Sequence, residues 1–274
     1  MLPYLRIGIF SIPMFSLMMI VGILSGLIVA YFQIYKGEKI SLNTTIRLII
    51  CAGLGGLSMY FGAHFFDSLF HSIAEGAWRE AGITYLGGVV VSFPVTIILI
   101  HFLVPVAKGR ALYTFSLMVT PLILAHAFGR IGCFCAGCCY GQVTDSWIGV
   151  KFPDLPEKVL PTQLFESLFE FTLFFLFCGF RKKIKGHELE IYLIVYPIFR
   201  FIIEFFRGDD RGSTGMILSP AQFLDLFCIL AAIMIILFYQ GFIFKKMYRR
   251  CITWQEEAIE SYKRKARLLG KEDA

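Results

Sequence analysis

The chain has 274 residues, of which 57% are hydrophobic and only 17% are charged. Soluble domains are nearer half apolar and a quarter charged, so this composition excludes an ordinary soluble globular protein. The formal net charge of +6 comes from basic residues that lie mostly beside apolar segments, which indicates membrane orientation rather than nucleic-acid binding. We therefore expect membrane lipids, and no nucleic acid, among the partners.

Apolar segments of about twenty residues, the length needed to cross a bilayer as a helix, recur along the chain. The first is too long for a signal-peptide core and no small-residue cleavage site follows it, so we expect a retained span. The fold class is accordingly all-α, a polytopic membrane protein with seven transmembrane helices. The predicted spans are 7–32, 46–66, 85–106, 111–130, 162–180, 189–206 and 221–244. We expect one membrane domain over 1–244 and a basic cytoplasmic tail over 245–274.

The lysines and arginines near span ends are distributed unequally between the two sides of the predicted membrane domain. Thirteen lie on one side and six on the other. Because cytoplasmic loops carry the basic excess, the N-terminus is predicted to lie outside and the C-terminus in the cytoplasm.

Charged side chains occur inside the predicted spans. Arg130 closes the fourth span, and Arg200 lies inside the sixth, with Glu204 and Arg207 following at i+4 and i+7 on one helical face. A charge at the centre of a span costs about 2.5–3.5 kcal/mol on insertion scales, so it marks a functional site by default. The alternative for each pair is an ion pair that only fastens two helices.

With the predicted orientation, polar groups from five spans fall at one depth, near the outer face. They are His64, His126, Arg130, Gln163, Glu166, Glu170, Arg200, Glu204, Arg207, Gln222 and Asp225. Three arginines against two or three carboxylates predict spare positive charge. That excess would suit an anionic ligand such as a phospholipid phosphate, which arginine binds in a bidentate fork.

Residues 129–141, between the fourth and fifth spans, contain four glycines and four cysteines. Glycine allows close approach of the backbone to a ligand, and exposed amides after a helix end bind anions. Three interpretations of the cysteines stay open: packing or a disulfide, reactive thiols activated by Arg130, or metal ligands. The pattern C-x-C-x-x-C-C lacks the two-plus-two spacing of a zinc site, so metal binding is the least favoured of the three. We expect no metal and no cofactor.

The motif Gly129-Arg130-Ile131-Gly132-x-Phe134-x-x-Gly137-x-x-x-Gly141 resembles the signature of bacterial prolipoprotein diacylglyceryl transferases. Three further blocks resemble that family in order and spacing, and the matched blocks run from about 120 to 226. They are Pro161-Thr162-Gln163-Leu164-Phe165-Glu166, the segment Tyr196 to Asp209, and Ser219-x-x-Gln222.

The resemblance implies transfer of the diacylglyceryl unit of phosphatidylglycerol to the lipobox cysteine thiol of a lipoprotein precursor peptide. It also implies a site that faces the outer leaflet of a bacterial cytoplasmic membrane. The residues we expect to be catalytic are Arg130, Arg200, Glu204 and His126. Those expected to bind substrate are Gly132, Cys133, Gly137, Cys138, Gly141, Gln163, Glu166 and Arg207.

The chain differs from the family's usual pattern at several positions. Asparagine is usual at Cys133, glutamate at Cys138, arginine at Leu57 and histidine at Leu86, and Tyr-Gly in the first span is Phe-Ser here. That histidine is the family's natural base, so His126, His64 and the motif cysteines are candidates to replace it. Two alternative functions remain: an enzyme that uses the motif cysteines for thiol, acyl or redox chemistry, and a non-enzymatic phospholipid- or anion-binding or transport protein.

Overall fold

The computed structural model describes residues 3–7, 10–38, 40–78, 82, 84–107, 110–209 and 217–240, and this part of the chain contains seven α-helices. The helices are α1 Met14–Ala30, α2 Leu42–Glu75, α3 Tyr85–Leu103, α4 Ala111–Ala136, α5 Thr162–Ile184, α6 Glu188–Glu204 and α7 Pro220–Gln240. Two short hairpins accompany them, formed by β1 Tyr4–Ile7 with β2 Phe10–Pro13 and by β3 Val150–Lys151 with β4 Lys158–Val159. The predicted tail over 245–274 lies outside the described residues.

Six of these helices are long and apolar enough to cross a membrane, so the chain is a multi-pass membrane protein. The exception is α6, which has 17 residues where a span needs about 20 and which carries Glu188, Glu190, Arg200 and Glu204. The predicted helical, polytopic architecture is confirmed. The seventh span stays a prediction, because α6 by itself is short and strongly polar.

The first predicted span begins too early. Residues 4–7 and 10–13 form the β1–β2 hairpin, and the amide of Met14 donates to the carbonyl of Pro3 at 2.8 Å. Pro13 is extended (φ −60°, ψ 125°) immediately before the helix, where proline is compatible with a helix start because it has no amide hydrogen to leave unpaired. The apolar character of the hairpin made it look helical in the sequence.

Three other helices continue further than predicted, and one of them is α5, which ends at Ile184 instead of 180. α2 continues past 66 to Glu75, because Asp67 and Ser68 are buried and the helix stops only at Gly76, which has a φ of +71°. α4 continues to Ala136 and therefore includes Cys133 and Cys135, which were predicted to lie in a loop.

α4 lies at the centre of the bundle and packs against α1, α3, α5 and α6. Many of its side chains are buried, whereas α1 turns Ile20, Ile23 and Leu24 outward. Outward apolar residues with ionisable groups in the interior are the arrangement expected in hydrocarbon. The central helix therefore places His126 and Arg130 where neighbouring helices can reach them.

Glycines allow α2 and α3 to pack closely. A Cβ on Gly88 of α3 would lie 2.6 Å from the backbone oxygen of Met59 in α2, a distance that requires the helices to separate. A Cβ on Gly56, in α2, would meet nothing within 4 Å. We expect Gly88→Ala to lower the free energy of unfolding by about 1–3 kcal/mol, the usual cost of overpacking.

The matched control is Gly56→Ala, which should unfold at the wild-type temperature or above it. Both variants are to be compared by thermal unfolding in detergent. Equal stability of the two variants would contradict the helix spacing described here.

Candidate active site

A carboxylate on α5 is the centre of the buried charge cluster. Glu166 is fully buried, and its Oε2 lies 2.8 Å from Nη2 of Arg130 and 4.0 Å from Nε of Arg200. Its Oε1 lies 3.3 Å from Nη1 of Arg207. Three guanidinium groups from α4, α6 and the segment after α6 therefore share one carboxylate, so removal of Glu166 would leave three cations facing one another.

A second pair lies beside the first along α5. Nδ1 of His126 is 2.7 Å from Oε1 of Glu170 and 3.2 Å from the hydroxyl of Tyr192, which donates to the same carboxylate oxygen. Because α4 and α5 are antiparallel, two residues one turn apart on α4 match two residues one turn apart on α5 in reverse order. The contacts of His126 with Glu170 and of Arg130 with Glu166 therefore both follow from a single packing register of α4 against α5.

The imidazole of His126 is rigidly held. Its ring stacks on Tyr85 with centroids 3.9 Å apart and planes 11° apart, and Tyr196 meets it edge-on at 5.1 Å. A carboxylate can only accept, so Nδ1 carries the hydrogen and the neutral ring has its lone pair on Nε2. Nε2 is buried and has no hydrogen-bond partner among the described residues. The ring is therefore held in place with an unused lone pair on Nε2, as general base catalysis would require.

Arg200 and Glu204 connect the cluster to the start of α7. Nη1 of Arg200 lies 2.5 Å from Oε2 of Glu204, and the hydroxyl of Ser219 donates to Oε1 of Glu204 at 2.9 Å. The same hydroxyl accepts from the amide of Gln222 at 3.2 Å, and the amide of Ser219 donates to Oε1 of Gln222 at 3.2 Å. This reciprocal capping box, with Pro220 at the first helical position, explains why α7 begins there.

Arg207 reaches the cluster from outside the helix. The prediction of one helical face for Arg200, Glu204 and Arg207 is wrong, because α6 ends at Glu204 and Arg207 forms a β-bridge with Gly141. Asp209 accepts two hydrogen bonds of 2.8 Å from the Arg207 guanidinium. Burial raises the pKa of Asp209 to about 6, although Arg207 favours its ionised form.

The predicted excess of positive charge is absent from the described residues. Three arginines meet five carboxylates, because Asp209 pairs with Arg207, Glu170 pairs with His126, and Asp225 is fully buried within electrostatic range of Arg200. Neither oxygen of Asp225 has a hydrogen-bond partner among the residues the structure covers. The sequence could not show this balance, since it depends on which carboxylates turn inward.

The cysteine segment follows the end of α4 directly. Gly137 has a φ of +75°, its amide donates to the carbonyl of Phe134, and the amide of Cys138 donates to the carbonyl of Cys133. The sulfur atoms of Cys133, Cys138 and Cys139 lie within 4.8 Å of one another, and all are free thiols. Hydrogen bonds from the Cys133 and Cys138 thiols hold the pKa of Cys139 well below its usual range, and the nearby arginines add to this effect.

The motif glycines serve close packing between protein segments in this structure. A Cβ on Gly132 would lie 3.2 Å from the Phe15 ring in α1. A Cβ on Gly141 would lie 2.7 Å from the carbonyl oxygen of Phe206. Gln163 is also used internally, since its Nε2 donates to the carbonyl of Cys138 at 2.6 Å. These contacts position the cysteine segment against α5 and the end of α6.

The site includes two tyrosines that the sequence analysis did not single out. Tyr196 is almost fully buried and accepts a hydrogen bond from Nη2 of Arg130 at 3.3 Å. Tyr192 donates to Glu170. Their signal was present, because both precede Arg200 at four-residue intervals on one face of α6.

The family model described as prolipoprotein diacylglyceryl transferase matches residues 3–238. The chain belongs to the prolipoprotein diacylglyceryl transferase family. Within it, the chain is 45% identical over 135 residues to phosphatidylglycerol–prolipoprotein diacylglyceryl transferase 2 of Clostridium perfringens, which covers 47% of this chain and 52% of that protein. It is 43% identical over 127 residues to the phosphatidylglycerol–prolipoprotein diacylglyceryl transferase of Clostridium tetani, which covers 44% and 51%.

These two alignments span about half the length of the relatives. A longer match, 26% identical over 247 residues, is to the phosphatidylglycerol–prolipoprotein diacylglyceryl transferase of Dehalococcoides mccartyi and covers 85% of this chain and 92% of that protein. Membership of the prolipoprotein diacylglyceryl transferase family therefore extends over nearly all of the described helices.

We expect Glu166→Gln to lower the free energy of unfolding by about 3–5 kcal/mol, the usual cost of removing one partner from a buried ion pair. Glutamine keeps the shape of the side chain but leaves three buried guanidinium groups without their shared counter-charge. The control is Glu157→Gln at an exposed position. Unfolding of both variants in mixed detergent micelles measures the difference, and a stable Glu166→Gln protein would contradict the central role of this carboxylate.

Proposed function

We propose that this protein transfers the diacylglyceryl group of phosphatidylglycerol to the cysteine thiol of a lipoprotein precursor. In this reaction the bond between the glyceryl carbon and the phosphate oxygen breaks, and a carbon–sulfur bond forms. The thiol proton goes to a base, and glycerol phosphate leaves. The observation that carries the proposal is that a histidine held by Glu170 lies one turn from an arginine held by Glu166, so a base and a phosphate-binding cluster lie side by side on the α4–α5 pair. Family membership supplies the substrates.

Arg130 and Arg200 are the residues that would bind the phosphate. Nε of Arg130 is buried without a hydrogen-bond partner among the described residues, so this guanidinium keeps an unused donor while Glu166 holds its other end. Fixed donors directed at a phosphate stabilise the charge that develops on a leaving group. Glu204 holds Arg200, and Glu166 holds Arg130 and Arg207, so the carboxylates act as positioning residues.

His126 is the proposed base. The family's usual histidine would stand at Leu86, and Leu86 directly follows Tyr85, on which the His126 ring stacks. An imidazole from α4 thus lies beside the point in α3 where the family places one. Its orientation by Glu170 and its unused Nε2 match what proton removal from a thiol requires.

The protein is proposed to lie in a bacterial cytoplasmic membrane with its N-terminus outside, α6 as the seventh span and the site toward the outer leaflet. This orientation is supported by the excess of lysines and arginines near the ends of the spans on the predicted cytoplasmic side. Among them, Arg181 at the end of α5 contacts Glu38 at 2.9 Å and Lys185 contacts it at 2.6 Å. The residues of the arginine cluster lie at the opposite ends of α5 and α6. This depth gives access to lipid head groups of one leaflet.

We expect Arg130→Lys and Arg200→Lys to reduce kcat/KM for diacylglyceryl transfer by roughly 10²–10³, the usual loss when one fixed donor is removed. Lysine keeps the charge but loses the planar fork. The assay follows labelled glycerolipid from phosphatidylglycerol vesicles to a lipobox peptide, with release of glycerol phosphate. Wild type, but neither variant, should also restore growth of a strain depleted of its own transferase.

Arg47→Lys is the matched control, because Arg47 is exposed and far along α2 from the cluster. It should transfer lipid at the wild-type rate. Full activity of either cluster variant would refute the phosphate assignment, and a wild-type protein that inserts but transfers nothing would refute the proposed function.

We expect His126→Gln to lower kcat by roughly 10²–10⁴, the usual contribution of general base catalysis, with little change in KM for phosphatidylglycerol. The deficit should shrink as the assay approaches about pH 9, because a cysteine thiol with a reference pKa of about 8.5 then ionises without help. His64→Gln is the control and should behave as wild type. A deficit that is constant with pH would indicate a structural role for His126.

A further inference from the structure

The three clustered cysteines form a structure that the proposed phosphate and base assignments do not use. We define the thiol cluster as Cys133, Cys138 and Cys139, whose sulfur atoms lie within 4.8 Å of one another. Cys135, in the same segment, is not part of it. Cys138 is exposed, and the other two are half-buried, so the cluster is open to solvent on one side.

The way α4 ends explains how Cys133 and Cys138, five residues apart in the sequence, bring their sulfur atoms close together. The hydrogen bonds from Cys138 to the carbonyl of Cys133 and from Gly137 to that of Phe134 form a Schellman motif. In this motif the chain turns back after the helix end, so Cys138, two residues past Ala136, lies over Cys133, three residues before it. Cys138 and Cys133 occupy those two places, so the helix end itself brings their thiols together.

Cys139 is held in an unusual conformation that completes the group. Its φ of +65° is the sole positive φ of a non-glycine residue in the described part of the chain. Two side chains from the start of α5 secure the turn: Thr162 donates to the carbonyl of Cys139 at 2.9 Å, and Gln163 to that of Cys138 at 2.6 Å. A left-handed cysteine is strained, and such strain concentrates at functional sites.

We propose that the thiol cluster binds a thiophilic divalent cation of the zinc type through three thiolates and leaves the fourth tetrahedral position open. A Zn–S bond of about 2.3 Å puts tetrahedral ligand sulfurs about 3.8 Å apart, so the present sulfurs need to close by about 1 Å at most. Three thiolates and a divalent cation leave one negative charge. Arg130 and Arg207 are close enough to Cys139 to offset it. Three protein ligands and one open position are the pattern of catalytic rather than structural zinc sites.

This inference rests on the proposed function, because the open position is where the sulfur of the acceptor cysteine would bind. There the S–H bond breaks, a metal–sulfur bond forms, and the proton leaves through the solvent-exposed side of the cluster. The same sulfur then forms its bond to the glyceryl carbon as the phosphate oxygen leaves with the bonding electrons, and the thioether dissociates from the metal. A thiol that coordinates such a cation is deprotonated outright, so the metal would add to the thiol activation proposed for His126.

The test uses the full-length protein in detergent, reduced and treated with a chelator, and Co²⁺ as a spectroscopic probe. We expect a stoichiometric thiolate-to-cobalt charge-transfer band in the near ultraviolet, together with visible bands of a tetrahedral site. Zn²⁺ should displace the cobalt. Cys133→Ser, Cys138→Ser and Cys139→Ser should each weaken binding by at least tenfold, whereas Cys135→Ser, the matched control, should bind as wild type.

Addition of a lipobox peptide should shift the cobalt spectrum through a fourth sulfur ligand, and the peptide with serine in place of its cysteine should leave it unchanged. Three outcomes would each overturn the inference. They are the absence of a charge-transfer band in the reduced protein, a loss of cobalt affinity in Cys135→Ser as large as in the cluster variants, and undiminished lipid transfer by the chelated protein. Cobalt binding is measured without lipid. A protein that binds cobalt and peptide thiol but transfers no diacylglycerol would therefore refute the proposed function while leaving the metal site intact.

Discussion

The arrangement of the site depends on one buried carboxylate shared by three guanidinium groups. Glu166 holds Arg130, Arg200 and Arg207, which come from two helices and a following segment. A single buried charge would be costly in a membrane protein, and three like charges would repel one another. The shared carboxylate therefore explains how arginines can be concentrated at one place and still be held at fixed distances. Lipid phosphate would enter a network whose geometry already exists.

The antiparallel register of α4 and α5 extends this constraint to the base. His126 and Arg130 lie one turn apart on α4, and Glu170 and Glu166 lie one turn apart on α5. The register that forms either pair therefore also forms the other. Under the proposed function, phosphate binding and proton removal would be parts of one rigid helix pair. The stacking of Tyr85 on His126 also places the imidazole beside the start of α3.

Much of this architecture was predictable from the sequence because it follows from local patterns. Apolar length identified the spans, and four-residue spacing placed Arg200 with Glu204 on one face. What failed depended on contacts between distant residues. The β1–β2 hairpin is apolar enough to be taken for the start of a span, Arg207 joins the cluster through a β-bridge to Gly141, and the charge balance depends on Asp209 and Asp225 turning inward. The approach of the three sulfurs likewise results from a helix-ending motif that spacing rules for zinc sites do not describe.

The double use of the Ser219 hydroxyl has a consequence for biosynthesis. This group both starts α7, the last described helix, and holds the Glu204 carboxylate that pairs with Arg200. The electrostatic network is therefore complete only after the ribosome has made α7 and that helix has joined the bundle. A chain that stops before α7 would lack the Ser219 contact to Glu204, so the network is completed only when assembly in the bilayer is finished.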